Sequence, residues 1–313
     1  MTIELSVVSP MHNEEGSIQE FLRQVVNALC KLEANYEYEI VLVDDGSIDG
    51  TWEKVLLFVK SELNSKNIAI RGIKLAANYG QMSALDVGFR AAKGSYILSM
   101  DCDLQHPPEL IHDFYNSRFK APVVLGVQVH RHDDSIKGYL SRSFYKLLES
   151  ISGVPVVHNG GDFRLINRKI LDQLLSIRDN HSVIRFAIAR LRLPVHRIEF
   201  ESKPRFSGST KYSIRKMSKL ALASILTLTT RPLRLSVYFT TVFGLVFAIE
   251  SIYILYSYSL NNTIPGWASL GLLISLGFFT VSFNSMIQAI YIARIFESSQ
   301  NYPRSVISEE IPL

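Results

Sequence analysis

The sequence predicts an α/β domain built on a mostly parallel sheet, followed by two membrane-spanning helices. Three observations carry this: strand and helix signals alternate through the first 210 residues, acidic clusters recur at strand ends, and between Leu235 and Ala293 the only formal charge is Glu250. A chain that is 47% hydrophobic with mean hydropathy +0.14 is apolar for a wholly soluble enzyme. Its 20% charged and 11% aromatic residues exclude a disordered chain, a collagen-like repeat and a disulfide scaffold. The net charge of +4 is too small to argue for nucleic acid. Cys30 and Cys102 lie far apart without metal-ligand spacing, which fits reduced thiols in a cytosolic domain and argues against zinc.

The first strand, 3–9, is a short apolar, β-branched run ending at Pro10, and the absence of a basic leader before it gives no signal peptide. A helix over 17–32 leads to a strand over 39–43, which ends in Asp44 and Asp45. Helices over 51–63, 81–92 and 108–119 then alternate with strands over 70–75, 95–100 and 122–127. Ligands of such sheets bind at the carboxyl ends of the strands, so the residues just past each strand matter most.

Those positions hold Pro10-Met11-His12-Asn13-Glu14-Glu15, Asp44-Asp45-Gly46-Ser47 and Asp101-Cys102-Asp103-Leu104-Gln105. Each has a plainer reading alone: Asn13 or Asp49 as a helix N-cap, Gly46 as a turn glycine, Asp101 as a loop residue. Their shared place on one sheet edge favours a functional role. Asp101 and Asp103 repel one another unless a cation compensates, and oxygen donors of this kind suit Mg²⁺ or Mn²⁺. Hard cations held by one or two carboxylates complete their shell with phosphate oxygens and water, which makes a nucleoside diphosphate the natural ligand. Asp44 or Asp45 is then placed to accept a base N–H.

Beyond residue 210 the chemistry changes. Spans of about 235–260 and 267–293 each exceed the roughly 20 residues a helix needs to cross hydrocarbon, and Asn261 to Gly266 makes the turn. Lys211, Arg215, Lys216, Lys219, Arg231 and Arg234 precede the first span, Arg294 and Arg304 follow the second, and the turn has no basic residue. Both termini are therefore expected in the cytoplasm, in a multi-pass protein of the inner membrane. The segment 211–234 reads as a basic amphipathic juxtamembrane helix against anionic lipid, with a buried core helix as the competing reading. Residues 294–313 read as a cytoplasmic tail.

Pro10-x-x-Asn13-Glu14, Val43-Asp44-Asp45-Gly46-Ser47, Asn78-x-Gly80 with Ala84, Gly88 and Gly94, and Asp101-x-Asp103-Leu104-Gln105-x-Pro107-Pro108-Glu109 occur in the order seen in family 2 glycosyltransferases of the GT-A fold, which the chain resembles. Asn159-Gly160-Gly161-Asp162-Phe163-Arg164-Leu165 and Pro204-Arg205-Phe206-Ser207-Gly208-x-Thr210-Lys211 look like the polyprenyl-phosphate branch, which includes dolichyl-phosphate mannose synthase. The likeness covers nearly the whole chain. It implies a Rossmann-like GT-A catalytic domain over 1–210 that transfers a sugar, with inversion, from a nucleotide-sugar (a UDP-sugar foremost) to undecaprenyl phosphate. It also makes a homo-oligomer plausible, and Gly266, Gly271 and Gly277 offer close helix packing.

The resemblance places Asp101, Asp103 and Gln105 at the metal and gives Asp101, Asp103 and Asp162 catalytic roles. Asp162 orients the acceptor, pairs with an arginine or acts as base; the sequence leaves the three open. Pro10, Asn13, Glu14, Asp44, Asp45, Asn78, Arg205 and Lys211 fall at the donor nucleotide and diphosphate. Arg131 and Arg142 fall at the acceptor phosphate, with ordinary surface arginines as the alternative. A juxtamembrane electrostatic role competes for Lys211. The acceptor phosphate has a second pKa near 6, so it is largely a dianion at pH 7 and needs no strong general base. Gln81 stands where bacterial relatives commonly have lysine, and Cys102 where alanine is common. Neither Trp52 nor Trp267 lies in the Gln-x-x-Arg-Trp context of processive synthases. Transfer to a lipid-linked glycan or glycerolipid is the alternative enzyme reading, and a non-catalytic membrane scaffold the alternative of another class.

Overall fold

The computed structural model of the protein describes residues 3–61, 67–129, 160–176, 191–201, 266–299 and 305–311, with isolated positions between them. The strands are β1 (Ile3–Met11), β2 (Glu37–Asp44), β3 (Ile68–Leu75), β4 (Tyr96–Ser99), β5 (Val123–Gln128), β6 (Gly160–Asn167), β7 (Val195–Phe200) and β8 (Ile307–Ile311). They form one sheet in the order β7-β5-β6-β4-β1-β2-β3-β8. β1 pairs in parallel with both β2 and β4, β2 with β3, and β5 with β7. β6 lies antiparallel between β4 and β5, and β8 antiparallel on β3. The expected mostly parallel sheet is present, and every strand expected between residues 3 and 127 is found within two residues of its expected bounds.

Helices cover both faces, as a sheet of fully buried strands requires. α1 (Ile18–Cys30) buries Ile18, Phe21, Leu22, Val25, Ala28 and Leu29, one stripe at helical spacing. It packs beside α2 (Thr51–Ser61) and α4 (Ile111–Asn116) over a core that includes Trp52, Phe58, Phe114 and Phe163. The opposite face takes α3 (Gln81–Ala91) and α5 (Arg168–Ser176), which bury Leu85, Phe89, Leu171 and Leu174. Each such side chain, taken fully from water, contributes about 1.5–3 kcal/mol. α3 sits close to the sheet because residue 88 is glycine: a Cβ there would overlap Val8 Cγ1 and approach Val43 Cγ2 to 3.1 Å.

The sequence reading does not include β6, β7 or β8. β6 opens on two glycines and carries charged Asp162 and Arg164, which hides its strand pattern. β8 comes from the segment read only as a tail beyond the 1–210 domain. It docks through the ladder from Gly72↔Ile311 to Leu75↔Ile307. The chain falls into two compact units, Met1–Glu149 with Val154–Ile214 and Tyr302–Leu313, and Ser150–Gly153 with Arg215–Asn301.

The second unit contains α6 (Trp267–Ser299). Within it Leu276–Ala293 is the one stretch, among the described residues, long and apolar enough to cross a membrane. It exposes Phe278, Phe279, Val281 and Ile292, as a helix facing lipid would. The other expected span, 235–260, lies outside the described residues apart from isolated positions, and so do the basic segment 211–230 and the Pro204 to Lys211 motif. The expected pair of spans is thus represented here by a single helix.

Candidate active site

The chain runs β1, β2, β3 to one side of β1 and then returns to β4 on the other, so the strand order reverses between β1 and β4. The carboxyl ends of these two strands open a crevice of about 270 Å³, lined by Pro10, His12, Glu14, Asp45, Asn78, Gly80, Gln81, Asp101, Cys102 and Asp103 among others.

The loops after β1 and β2 are tied to each other. Asn13 adopts φ 55°, a left-handed conformation that asparagine tolerates. Its N–H donates to Ser47 Oγ at 2.9 Å, and its Oδ1 accepts the Ile48 N–H at 3.0 Å. Glu14 donates its N–H to Thr51 Oγ1 at 2.8 Å and accepts the Ser17 hydroxyl at 2.7 Å. Asp45, buried at the end of β2, accepts the Tyr79 N–H at 2.7 Å and the Gly80 N–H at 2.8 Å, one on each carboxylate oxygen. It clamps the loop entering α3. Asp44 is wholly buried; its Oδ1 accepts the Ser47 N–H at 2.9 Å and the Ser47 hydroxyl at 2.5 Å, while Oδ2 has no hydrogen-bond partner. Gly46, at φ 67°, is needed where it stands, since a Cβ would lie 2.6 Å from the Ala77 carbonyl carbon.

The loop after β4 is anchored from below. The Asp101 N–H donates to His106 Nδ1 at 3.0 Å. The His106 ring stacks on Phe163, centroids 4.9 Å apart and planes within 18°, and meets the edge of Phe200. Burial pulls the His106 pKa down to about 4, so at pH 7 the ring is neutral and Nδ1 remains an acceptor. Cys102 donates its thiol to the Pro10 carbonyl at 3.2 Å; burial, followed by the charges of Glu14, Asp101 and Asp103, pushes its pKa well up and keeps it a thiol. Leu104 takes φ 63°, and the Gln105 N–H returns to Asp103 Oδ1 at 3.0 Å.

β6 brings in the third carboxylate. Ser99 pairs with Arg164 in the β4–β6 ladder, and the Ser99 hydroxyl donates to the Asp162 carbonyl at 2.5 Å. Arg164, only 2% exposed, ion-pairs with Asp162 and donates to the Gly161 carbonyl at 2.9 Å. The Gln81 amide nitrogen lies 2.8 Å from Asp101 Oδ1 and 3.5 Å from Asp162 Oδ2, so one side chain reaches both. Asp101 and Asp103 offer the crevice carboxylate oxygen, the donor type that a hard divalent cation takes. Among the described residues no three His, Cys, Asp or Glu side chains form a ready-made cage, so a bound ion would complete its shell from substrate oxygens and water.

Residues 6–175 match the model of Glycosyl transferase family 2. The chain belongs to that family. This family 2 glycosyltransferase is 29% identical to an uncharacterized glycosyltransferase of Synechocystis sp., over 99% of its own length and 96% of the relative's. It is 30% identical to the undecaprenyl-phosphate 4-deoxy-4-formamido-L-arabinose transferase of Enterobacter sp., covering 98% and 94% of the two chains, and 35% identical to the Pseudomonas fluorescens enzyme of that name, covering 74% and 66%. A crystal structure of glucosyl-3-phosphoglycerate synthase from Mycobacterium tuberculosis in complex with Mg²⁺ and UDP shares the fold, with TM-score 0.51, 16% identity and coverage of 73% and 79%. The architecture is GT-A-like.

Of the expected site residues of this glycosyltransferase, Pro10, Glu14, Asp45, Asn78, Asp101 and Asp103 line the crevice, and Asp162 joins them through Gln81. Asn13 lines an adjoining cavity instead. Asp45, expected at the base, has both oxygens engaged by backbone N–H groups. Gln105 meets Asp103 through its backbone. Arg131, Arg142, Arg205 and Lys211 lie outside the described residues. Two histidines had no assigned role in the sequence reading. His12 Nε2 is 2.9 Å from Asn78 Nδ2 and 3.2 Å from Asn13 Nδ2, joining the β1 and β3 loops. His106 supports Asp101, and only its place beside the Asp-x-Asp-Leu-Gln run marked it in the sequence.

Proposed function

We propose that the enzyme transfers a sugar, with inversion, from a nucleotide-sugar, a UDP-sugar foremost, to polyprenyl phosphate at the cytoplasmic membrane face. The observation that carries this is that Asp101 and Asp103 line one crevice at the point where strand order reverses, with Asp162 linked to Asp101 through Gln81. Support for the acceptor comes from the relatives named undecaprenyl-phosphate transferases and from α6.

In this reading Asp101 and Asp103, with Gln105, hold Mg²⁺ or Mn²⁺. Such an ion, when bound, supplies positive charge to the donor diphosphate as the sugar–oxygen bond breaks. Asp44 and Asp45 serve the base side of the donor: Asp45 lines the crevice, and Asp44, wholly buried, holds the turn at Ser47 behind it. Pro10, Glu14, Asp45 and Asn78 shape the nucleotide side of the crevice, and Asn13 the donor cavity beside it. Asp162, braced by Arg164 and Ser99, orients the acceptor rather than deprotonating it, because a phosphate dianion is already nucleophilic at pH 7. Arg131 and Arg142 hold the acceptor phosphate, and Arg205 and Lys211 close over the donor diphosphate. The catalytic domain is cytoplasmic, residues 211–234 lie on the leaflet, 235–293 form a two-helix hairpin, and copies of the chain associate through it.

The test incubates detergent-solubilised protein and Mn²⁺ with undecaprenyl phosphate and, in parallel, UDP-glucose, UDP-GlcNAc, UDP-galactose and GDP-mannose, with the glycolipid read by mass. Transfer from one donor is the expected result. Donor hydrolysis without glycolipid overturns the acceptor assignment.

A further inference from the structure

A second cavity, about 590 Å³, adjoins the carboxylate crevice, and the two share His12 and Asn78 in their walls. Asn13, Ser47, Ile48 and Lys74 line it too, and so does Ser308, which comes from β8 at the far end of the chain. No carboxylate lines it; beside the Asn13 and Asn78 amides and the Ser47 and Ser308 hydroxyls it has His12, Lys74, backbone and apolar Ile48 and Leu75. A wall of amides and hydroxyls with apolar surface and no carboxylate suits a flat, hydrogen-bonding ligand such as a nucleoside rather than a cation.

β8 is fastened where this cavity lies. The Ala76 N–H donates to the Val306 carbonyl at 2.8 Å, and the Ser308 hydroxyl donates to the Lys74 carbonyl at 3.0 Å. Both bonds fix the end of β3 and the loop leading to Asn78. A nucleoside diphosphate is two-ended, so if its diphosphate lies against Asp101 and Asp103, its nucleoside must extend into a neighbouring space.

Resting on the donor reading above, we propose that β8 forms a wall of the donor's nucleoside subsite, so that nucleotide binding and docking of the C-terminal strand stabilise each other. The coupling is reciprocal: whatever β8 adds to nucleotide affinity, bound nucleotide adds to β8 docking.

The test titrates UDP and GDP, each with Mn²⁺, into the full chain in detergent by calorimetry and follows amide exchange with and without nucleotide. Ser308→Trp, which fills the cavity, should raise Kd at least about tenfold, whereas Ser308→Ala should change it by less than about threefold. In the wild type, amides of Ile307–Ile311 should exchange more slowly with nucleotide bound. Unchanged affinity in Ser308→Trp, or unchanged exchange of β8 in the wild type, overturns the inference while leaving the donor reading intact. A wild type that binds neither nucleotide overturns both. If Ser308→Trp lowers the thermal midpoint, the wild-type exchange measurement decides.

Discussion

Replacing His106 with phenylalanine keeps the ring that stacks on Phe163 and removes the acceptor of the Asp101 N–H. Phenylalanine is the larger ring, so no cavity opens; beside some crowding against Phe163 and Phe200, the loss is one partly buried hydrogen bond. Leaving such a donor unsatisfied costs about 1–3 kcal/mol. At tenfold per 1.4 kcal/mol, a loop that escapes this cost by moving Asp101 leaves its working position about ten to a hundred times more often. Turnover should fall by about that factor, because displacements near 1 Å cost on this scale in catalytic sites. His106→Asn gives the opposite trade: its Oδ1 restores the acceptor, while the contacts with Phe163 and Phe200 are lost. Asparagine should therefore melt lower than phenylalanine yet turn over faster. The assay is nucleotide release by detergent-solubilised protein beside thermal unfolding of the same samples. Wild-type turnover in His106→Phe, or turnover that simply follows melting temperature across both variants, refutes the positioning role.

Four other outcomes follow from the geometry. Gly88→Ala forces a methyl into Val8 and Val43 and should destabilise by about 1–3 kcal/mol in denaturant titration. Asp45→Asn keeps one acceptor but turns an N–H toward an N–H, so it should cost about 1.5–3 kcal/mol and speed amide exchange at Tyr79 and Gly80. Iodoacetamide at pH 8 should label exposed Cys30 and reach Cys102 only after unfolding, since Cys102 is buried and held as a thiol; peptide mass mapping reads this directly. EDTA should abolish transfer and Mn²⁺ restore it, and Asp103→Ala should remove turnover while leaving the melting temperature close to wild type; activity in chelator would refute the metal role of Asp101 and Asp103.

The parallel half of the sheet was legible because its strands are short β-branched runs bounded by turn residues, and because α1 and α3 show clear periodicity. The carboxylate clusters were legible for the same reason: strand ends are predictable, and position, more than residue type, marked them as a site. What escaped depends on contacts distant in sequence. Nothing local reveals that Asp162 neighbours Asp101, since that follows from β6 running antiparallel between β4 and β5. His106 gains its role from Phe163 on β6 and Phe200 on β7, strands whose charged or glycine residues mask their alternation. That the two oxygens of Asp45 hold the Tyr79 and Gly80 N–H groups is likewise invisible in the Asp44-Asp45 pair, since the loop before α3 comes from about 35 residues away. Neighbouring acids in a sequence thus divide their work, Asp45 bracing the loop before α3 and Asp44 the turn at Ser47.

β8 also bears on how the catalytic domain can be handled. Without it, the Gly72–Leu75 end of β3 is a bare edge whose unpaired backbone groups offer a template for another chain's strand. With it, the sheet ends on Ser308, Glu309 and Glu310, whose charge and polarity discourage such pairing. A catalytic domain cut at residue 210 would lack this cover and expose β3. Self-association of that fragment through β3 is then the expected behaviour, and supplying residues 305–313 as a separate peptide should suppress it.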